Sequence, residues 1–323
     1  MGLLDNIRTF FIGDSSKNVD KRGLSLNTIF PDADVYDSDK ALTLTSVWNA
    51  IRLLSESVSS LPISVYRKEN NGDKVEDVNN RIYNLIKFKP NNFQNKITFF
   101  EYVMYSVLTD GNSYVQIVRD NSANPVQLIP LNPDYVNIFI KDNELFYQMD
   151  GGSVLDSADV LHIKLITDDG IEGLSPIDQC AKAINWNLSI EEFGSTFFKN
   201  GAKPSSVLST DRALSETAIA RLKDSFNSSY AKLKSSNSTI ILEEGLSFKP
   251  ISISPEQAQF LASRQFGIEE IARIFNIPPH MLKDLSKSSF NNIEMQSQEY
   301  VTYTLMPYLT RIEQEMNLKL FRT

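Results

Sequence analysis

The sequence holds one cysteine and two histidines in 323 residues. Cys180 alone can form neither an internal disulfide nor a thiolate metal cage. His162 and His280 stand far apart and make no His-rich metal or triad motif. Glycine and proline are scarce, at 13 each, well below the combined average of ~12%, which excludes collagen-like and low-complexity chains. No apolar run approaches the ~18 residues that a transmembrane helix needs, so no membrane partner is expected. Phosphate-cradling glycine loops, nucleophile elbows and paired-histidine zinc helices are also missing. Much of enzymology is thereby disfavoured, and no cofactor is implied.

What is there describes an ordinary globular chain, 41% hydrophobic and 22% charged. Its length suggests about two domains. The formal charge is −8, whereas proteins that neutralise phosphates usually present a basic face. The acidity is uneven. Between Asp142 and Asp178 lie Asp142, Glu144, Asp150, Asp156, Asp159, Asp168, Asp169, Glu172 and Asp178, against the single base Lys164. Such a stretch is either a plain solvated surface or one that repels nucleic acid and meets a basic partner. The start, Met1 to Phe11, carries Asp5 early and Asn6 where acylation needs Ser or Thr, so a cytosolic chain is expected.

Periodicity outlines an α+β first half. Val47, Ile51, Leu54 and Val58 form one helical stripe, stopped by Leu61-Pro62. A strand is expected over Ile63–Arg67, then a turn at Asn70-Asn-Gly-Asp73 with positive φ at both central residues. Helices are expected at Arg81–Phe88 and Thr98–Leu108, the latter opened by a Thr98–Glu101 capping box. Five strands at about ten-residue spacing, from Ser113 to Leu165, suggest an antiparallel meander.

The second half is largely helical. Pro176 opens one long helix with Cys180 on its apolar face, ended by Gly201. A small strand–helix–strand–strand module follows, then a helix from Ser254 to about Phe275, broken by Ile277-Pro-Pro-His280. A last helix runs from Ile293 past Leu318, interrupted at Pro307. Two motifs carry candidate chemistry. Asp168, Asp169 and Glu172 could ligate a divalent cation in a metal-dependent hydrolase, although a carboxylate-lined turn is the simpler reading. His280 lacks an evident partner that would make it a base.

Five stretches in one order resemble the portal proteins of tailed bacteriophages, in particular the smaller type of long-tailed phages. They are Ala41-Leu-Thr-Leu-Thr-Ser-Val-Trp-Asn-Ala-Ile-Arg to Pro62, Gly170-Ile-Glu-Gly-Leu-Ser-Pro-Ile177, Phe197-Phe-Lys-Asn-Gly-Ala-Lys-Pro-Ser-Ser-Val-Leu208, Leu246 to Leu261, and Glu269-Glu-Ile-Ala-Arg-Ile-Phe-Asn-Ile-Pro-Pro-His-Met-Leu282 with Ser289-Phe-Asn-Asn-Ile-Glu294. The resemblance implies a non-enzymatic ring of identical subunits, about twelve in the virion, at one capsid vertex. Double-stranded DNA would pass through it without sequence reading during packaging and ejection. The implied partners are other copies of itself, the terminase large subunit, a head–tail adaptor and the major capsid or scaffold protein. The implied location is the virion, after assembly in the host bacterial cytoplasm. A different head–tail interaction protein is the alternative.

The implied fold is α+β, with an N-terminal arm at residues 1–40, a wing at 41–174 and a stem helix at 175–201. A clip would occupy 202–252, a second stem helix 253–275, a tunnel loop 276–292 and a long kinked helix 293–323. Lys283, Ser286, Lys287, Ser288 and Ser289 would face passing DNA, with the lysines touching phosphates briefly, or would be plain solvated loop residues. From Lys203 to Ser252 seven bases meet five acids, so Lys203, Arg221, Lys223, Lys232 and Lys234 would offer a weakly basic docking face for an acidic terminase or adaptor patch, or would be part of a mixed, solvated helix face. The family continues past Leu320-Phe-Arg-Thr323 into another wing strand and a crown, so the crown is expected to be absent here.

Overall fold

The computed structural model describes residues 38–199, 206–209, 247–250, 260–282 and 290–321, with isolated positions between 215 and 224. The chain divides into two compact units, residues 1–188 with 264–323, and residues 189–263.

The first unit begins with a helical layer. Helix α1 (Ser38–Ala41) leads into α2 (Thr45–Ser60), whose stripe Val47, Ile51, Leu54 and Val58 is buried as expected. Each such side chain contributes about 2 kcal/mol on removal from water. Strands β1 (Tyr66–Lys68) and β2 (Lys74–Glu76) form an exposed hairpin, starting later than Ile63. In its turn only Gly72 adopts positive φ, +92°, because Gly72 N donates to Glu69 O and closes the turn one residue longer than a two-residue loop. Helices α3 (Arg81–Lys87) and α4 (Lys96–Asp110) complete the layer. Asn95, not Thr98, caps α4: its Oδ1 accepts from Thr98 N at 3.0 Å, so the helix opens two residues earlier than expected.

The strands make two three-stranded antiparallel sheets rather than one meander. In the first, β3 (Asn112–Arg119) lies between β4 (Pro125–Leu131) and β8 (Val160–Lys164). In the second, β6 (Glu144–Met149) lies between β5 (Val136–Lys141) and β7 (Val154–Asp156), a strand too short to be read from sequence. The central strand β3 is buried on both faces. Val115 and Ile117 join the large core beneath the helices, while Tyr114 joins Val136, Tyr147 and Val160 in a second core. Helices, first sheet and second sheet thus form three layers, which is why β3 carries apolar residues without strict alternation.

Pro176 opens a short helix, α5 (Pro176–Gln179), capped by Ser175 Oγ, and the chain restarts at α6 (Ala181–Lys199). The single long helix expected from the sequence is therefore two, joined at Cys180 (φ −107°, ψ 18°). Cys180 is half-buried at the joint, and burial pushes its thiol pKa up. Helix α7 (Phe260–Ile274) ends where Asn276 turns left-handed (φ 52°) ahead of Pro278 and Pro279. A 3-10 turn follows at Pro279–Leu282.

The last helix does not stop at Pro307. Helix α8 (Phe290–Glu299) passes into a π-helical turn (Tyr300–Leu305) and on into α9 (Met306–Leu320). Pro307 has no N–H to offer the carbonyl of Tyr303 four residues back. Asn276 Nδ2 donates to that carbonyl instead, at 3.0 Å, and the Thr304 hydroxyl donates to Asn276 O. The wider turn accommodates the proline without breaking the rod. In the second unit, β9 (Ser206–Ser209) pairs antiparallel with β10 (Ser247–Pro250), matching two strands of the expected module. The expected Gly201 cap and the strand over Thr239–Leu242 lie outside the described residues.

Candidate functional site

Most side chains singled out from the sequence fall outside the described residues: Lys203, Lys223, Lys232, Lys234, Lys283, Ser286, Lys287, Ser288 and Ser289. Arg221 is helical and exposed. Asp168, Asp169 and Glu172 are described. Asp169 Oδ1 accepts from Ile171 N at 2.7 Å and Glu172 N at 2.9 Å, closing a turn in which Gly170 has φ +80°. Lys164 Nζ donates to the carbonyls of Gly170 and Ile171 at 3.0 and 2.8 Å. This carboxylate is spent on backbone N–H groups, and among the described residues no three acidic, histidine or cysteine side chains group as metal ligands. His280 is buried, and neither ring nitrogen finds a hydrogen-bond partner among the described residues.

What the fold does build is a joint at the foot of α5 and α6, centred on residues that sequence reasoning passed over. Asn112, at the start of β3, spends its whole amide there. Its Oδ1 accepts from Gly173 N at 2.7 Å and pairs with His162 Nε2 at 3.0 Å. Its Nδ2 donates to Gly173 O at 2.7 Å and Asp110 O at 3.0 Å. Because Asn112 Oδ1 only accepts, Nε2 of His162 carries the proton and Nδ1 accepts from the Tyr147 hydroxyl at 3.1 Å. Ser175 Oγ, the cap of α5, donates to Thr109 O at 2.6 Å. The Gly170–Ile177 motif is thus a backbone clasp: Gly173 lies flat against Gly111 and Asn112, and Ser175-Pro176 starts the next helix from that fixed point.

Helix α9 closes the other side. The outer edge of β8 offers His162 N–H and Val160 C=O. Glu315 Oε1 accepts from the first at 2.9 Å and Lys319 Nζ donates to the second at 2.5 Å, while the two side chains pair at 2.7 Å. An i,i+4 ion pair thereby takes the place of a partner strand along an otherwise open edge. Arg119 adds bonds to Asp159 Oδ1 at 2.7 Å and Lys319 O at 3.1 Å.

Burial, with Lys164 and Lys319 nearby, holds His162 neutral, its pKa lowered to about 3. The unfolded chain binds a proton near pH 6.5 and the folded chain does not until about 3, so stability falls as pH drops below 6.5. The expected loss is about 1.4 kcal/mol per pH unit from this ring alone. Tyr114 and Tyr147 also face the ring, and burial raises both phenols further above this range, so they stay protonated throughout it. The Glu315 carboxylate meets the backbone N–H of His162 rather than the imidazole. Urea unfolding of wild type and His162→Gln between about pH 6.5 and 5 should show the slope in wild type only, and equal slopes would refute it.

A second feature lies where α6 passes α7. Trp186 and Phe266 meet edge to face with centroids 5.7 Å apart, and the Arg273 guanidinium sits 5.3 Å from the Phe266 ring centroid. The signal in the sequence was a phase error: Ile184 and Leu188 keep the apolar stripe of α6, and Trp186 stands off it.

Comparison with known proteins places this architecture. The phage portal protein family matches residues 45–323. The portal protein of Enterobacteria phage HK97 is 28% identical over 289 residues, covering 87% of this chain and 68% of its own length. The probable portal protein of Streptomyces phage phiC31 is 30% identical over 313 residues, covering 92% and 68%. Among solved structures, an HK97-family phage portal protein from Corynebacterium diphtheriae superposes with a TM-score of 0.64 at 17% identity, over 90% of this chain and 93% of that one. A chain in the neck of the native gene transfer agent particle, computed with C12 symmetry, gives 0.60 at 20% identity, over 93% and 81%. With nearly its whole described length matched, this chain belongs to the phage portal protein family.

Proposed function

We propose that the chain is the subunit of a ring at the unique capsid vertex, the channel for DNA packaging and ejection and a docking platform for terminase and the head–tail connector. The observation that carries this reading is the family match over residues 45–323, together with the fold shared with a chain in a C12-symmetric particle neck. The role is structural rather than catalytic. Residues 41–174 are the wing and 202–252 the clip, between stem segments at 175–201, which includes α5 and α6, and 253–275, which includes α7. The tunnel loop is assigned to 276–292, a range that takes in the 3-10 turn at Pro279–Leu282 and the first residues of α8, with Lys283 and Lys287 as the cations expected nearest the DNA and Ser286, Ser288 and Ser289 with them. Lys203, Arg221, Lys223, Lys232 and Lys234 give the clip its docking face. Particles would form in the host cytoplasm, with the capsid or scaffold protein as a further partner.

Charge supports a conduit. Duplex DNA has to slide, and each phosphate neutralised adds affinity that would stall it. A chain of net charge −8 presents a weakly interacting wall, and brief lysine contacts position the duplex without reading it. Electron microscopy of the purified protein should show closed rings with a hole wide enough for duplex DNA. Monomers alone at every concentration and salt would refute the assignment.

A further inference from the structure

Copies of this chain each carry a charge of −8 and repel one another at long range. In a ring built from them, apolar contacts that do not depend on opposite charge offset that repulsion. A heterologous ring also needs each copy to offer a preformed flank to a different surface of its neighbour. One region of the first unit has the required character. Trp186 and Phe266 are 41% and 48% exposed although both are large and apolar. They are adjacent, packed edge to face, and Arg273 lies over the Phe266 ring while pairing with Glu269 at 3.6 Å. Arg273 continues into an open cleft of about 330 Å³ lined by Glu269, Asn276, Glu299 and Tyr303. Tyr303 is 67% exposed at its rim.

The ridge is held rigid from below. Gly267 is buried against Asn187, and a Cβ there would overlap the Asn187 amide, so α6 and α7 approach as closely as the missing side chain allows. Asn187 is itself 8% exposed and donates to Ala183 O at 2.9 Å. The aromatic pair therefore stands on a platform that has little freedom left to lose. Tryptophan, tyrosine and arginine over a fixed backbone, with a polar rim, is the composition that dominates binding energy where two proteins meet.

We propose that Trp186, Phe266, Arg273 and Tyr303 form the anchor through which one copy of this chain grips the next. This rests on the ring reading above and deepens it by naming the surface. The neighbour covers the aromatic pair and seats part of itself in the adjoining cleft. Mutual repulsion of the copies makes assembly tighter as salt is raised, the reverse of an interface led by opposite charges.

The test uses the full chain, with sedimentation velocity and electron microscopy on wild type, Trp186→Asp, Phe266→Ser and Trp186→Phe. The first two should associate roughly thirtyfold more weakly or worse, with unchanged circular dichroism, and Trp186→Phe should still form rings. In a Trp48→Phe background Trp186 is the only tryptophan, and its emission should shift to the blue and lose acrylamide quenching as rings form. Wild-type rings with equally assembled variants, or with Trp186 still open to quencher, would overturn the proposed surface and leave the portal reading standing. The second of these results would leave the ridge on the outside of the ring, free for a different protein. Wild type that never assembles at any salt would overturn both.

Discussion

Gly111→Ala is expected to cost about 3 kcal/mol or more and to loosen the start of α5. Two independent reasons converge on this residue. Gly111 ends α4 with φ +75°, a conformation that strains any residue with a Cβ. It also faces the clasp: a Cβ there would overlap the carbonyl of Leu174 and come within 2.8 Å of Gly173 O. These are backbone atoms, which cannot swing aside as a side-chain tip can. Gly173 is pressed back equally hard, since a Cβ on it would overlap Gly111 O and lie 2.9 Å from Leu165 N. Gly72 supplies the control. It has φ +92°, and a Cβ there would meet nothing within 4 Å, so Gly72→Ala isolates backbone strain at about 1 kcal/mol. Urea unfolding of both variants separates the two contributions, and equal losses would show that the clasp tolerates the extra methyl. Because Ser175 caps α5 directly after Leu174, the Gly111 variant should also form fewer rings at a given concentration.

The fold was legible where one periodicity and one stop signal acted alone. The stripe on α2, the proline at the head of α5 and the break before Pro278 are decided by neighbours three or four residues away. The division into two sheets was harder because β8 returns to β3 past four intervening strands, and no local pattern encodes which strand comes back. The break at Cys180 was hidden since its sequence has no helix breaker; the backbone leaves helical dihedrals there (φ −107°, ψ 18°) without a residue type that signals it. Tertiary packing likewise overrode Pro307, with Asn276 supplying the hydrogen bond that the proline lacks. The candidate site was least legible. Asn112, His162 and Gly173 are separated by up to 61 residues; the pairing of Asn112 with Lys164 and of Tyr114 with His162 across β3 and β8 brings the first two together, and the Thr167–Gly173 bridge returns Gly173 to them. The family resemblance supplied the motif Gly170–Ile177 without its purpose. Gly173 is there for the close approach, and Ser175 for the cap.

Asn112→Leu is expected to have the largest effect of any side-chain replacement in this joint. A leucine fills nearly the same volume, so the loss comes from the polar groups it leaves behind. Gly173 N–H, Gly173 C=O, Asp110 C=O and His162 Nε2–H would all lose their partner at once in a site where Asn112 and His162 are 4% and 5% exposed. Buried groups left without partners cost about 1–3 kcal/mol each, and partial relaxation of the 165–174 loop brings the sum to about 4 kcal/mol. Asn112→Asp distinguishes the polar account from simple crowding. An aspartate keeps the acceptor for Gly173 N and His162 Nε2 but gives up both donated bonds. It also places a carboxylate beside the imidazole and so raises the His162 pKa from its lowered value. The Asp variant should therefore be less damaged than the Leu variant below pH 6 and lose the wild-type decline in stability between pH 6.5 and 5. Denaturation at pH 7.5 and pH 5.5 gives both comparisons. Leu and Asp variants both as stable as wild type at pH 5.5 would mean that the amide network does not hold the clasp, and that the two glycines alone fix where α5 begins.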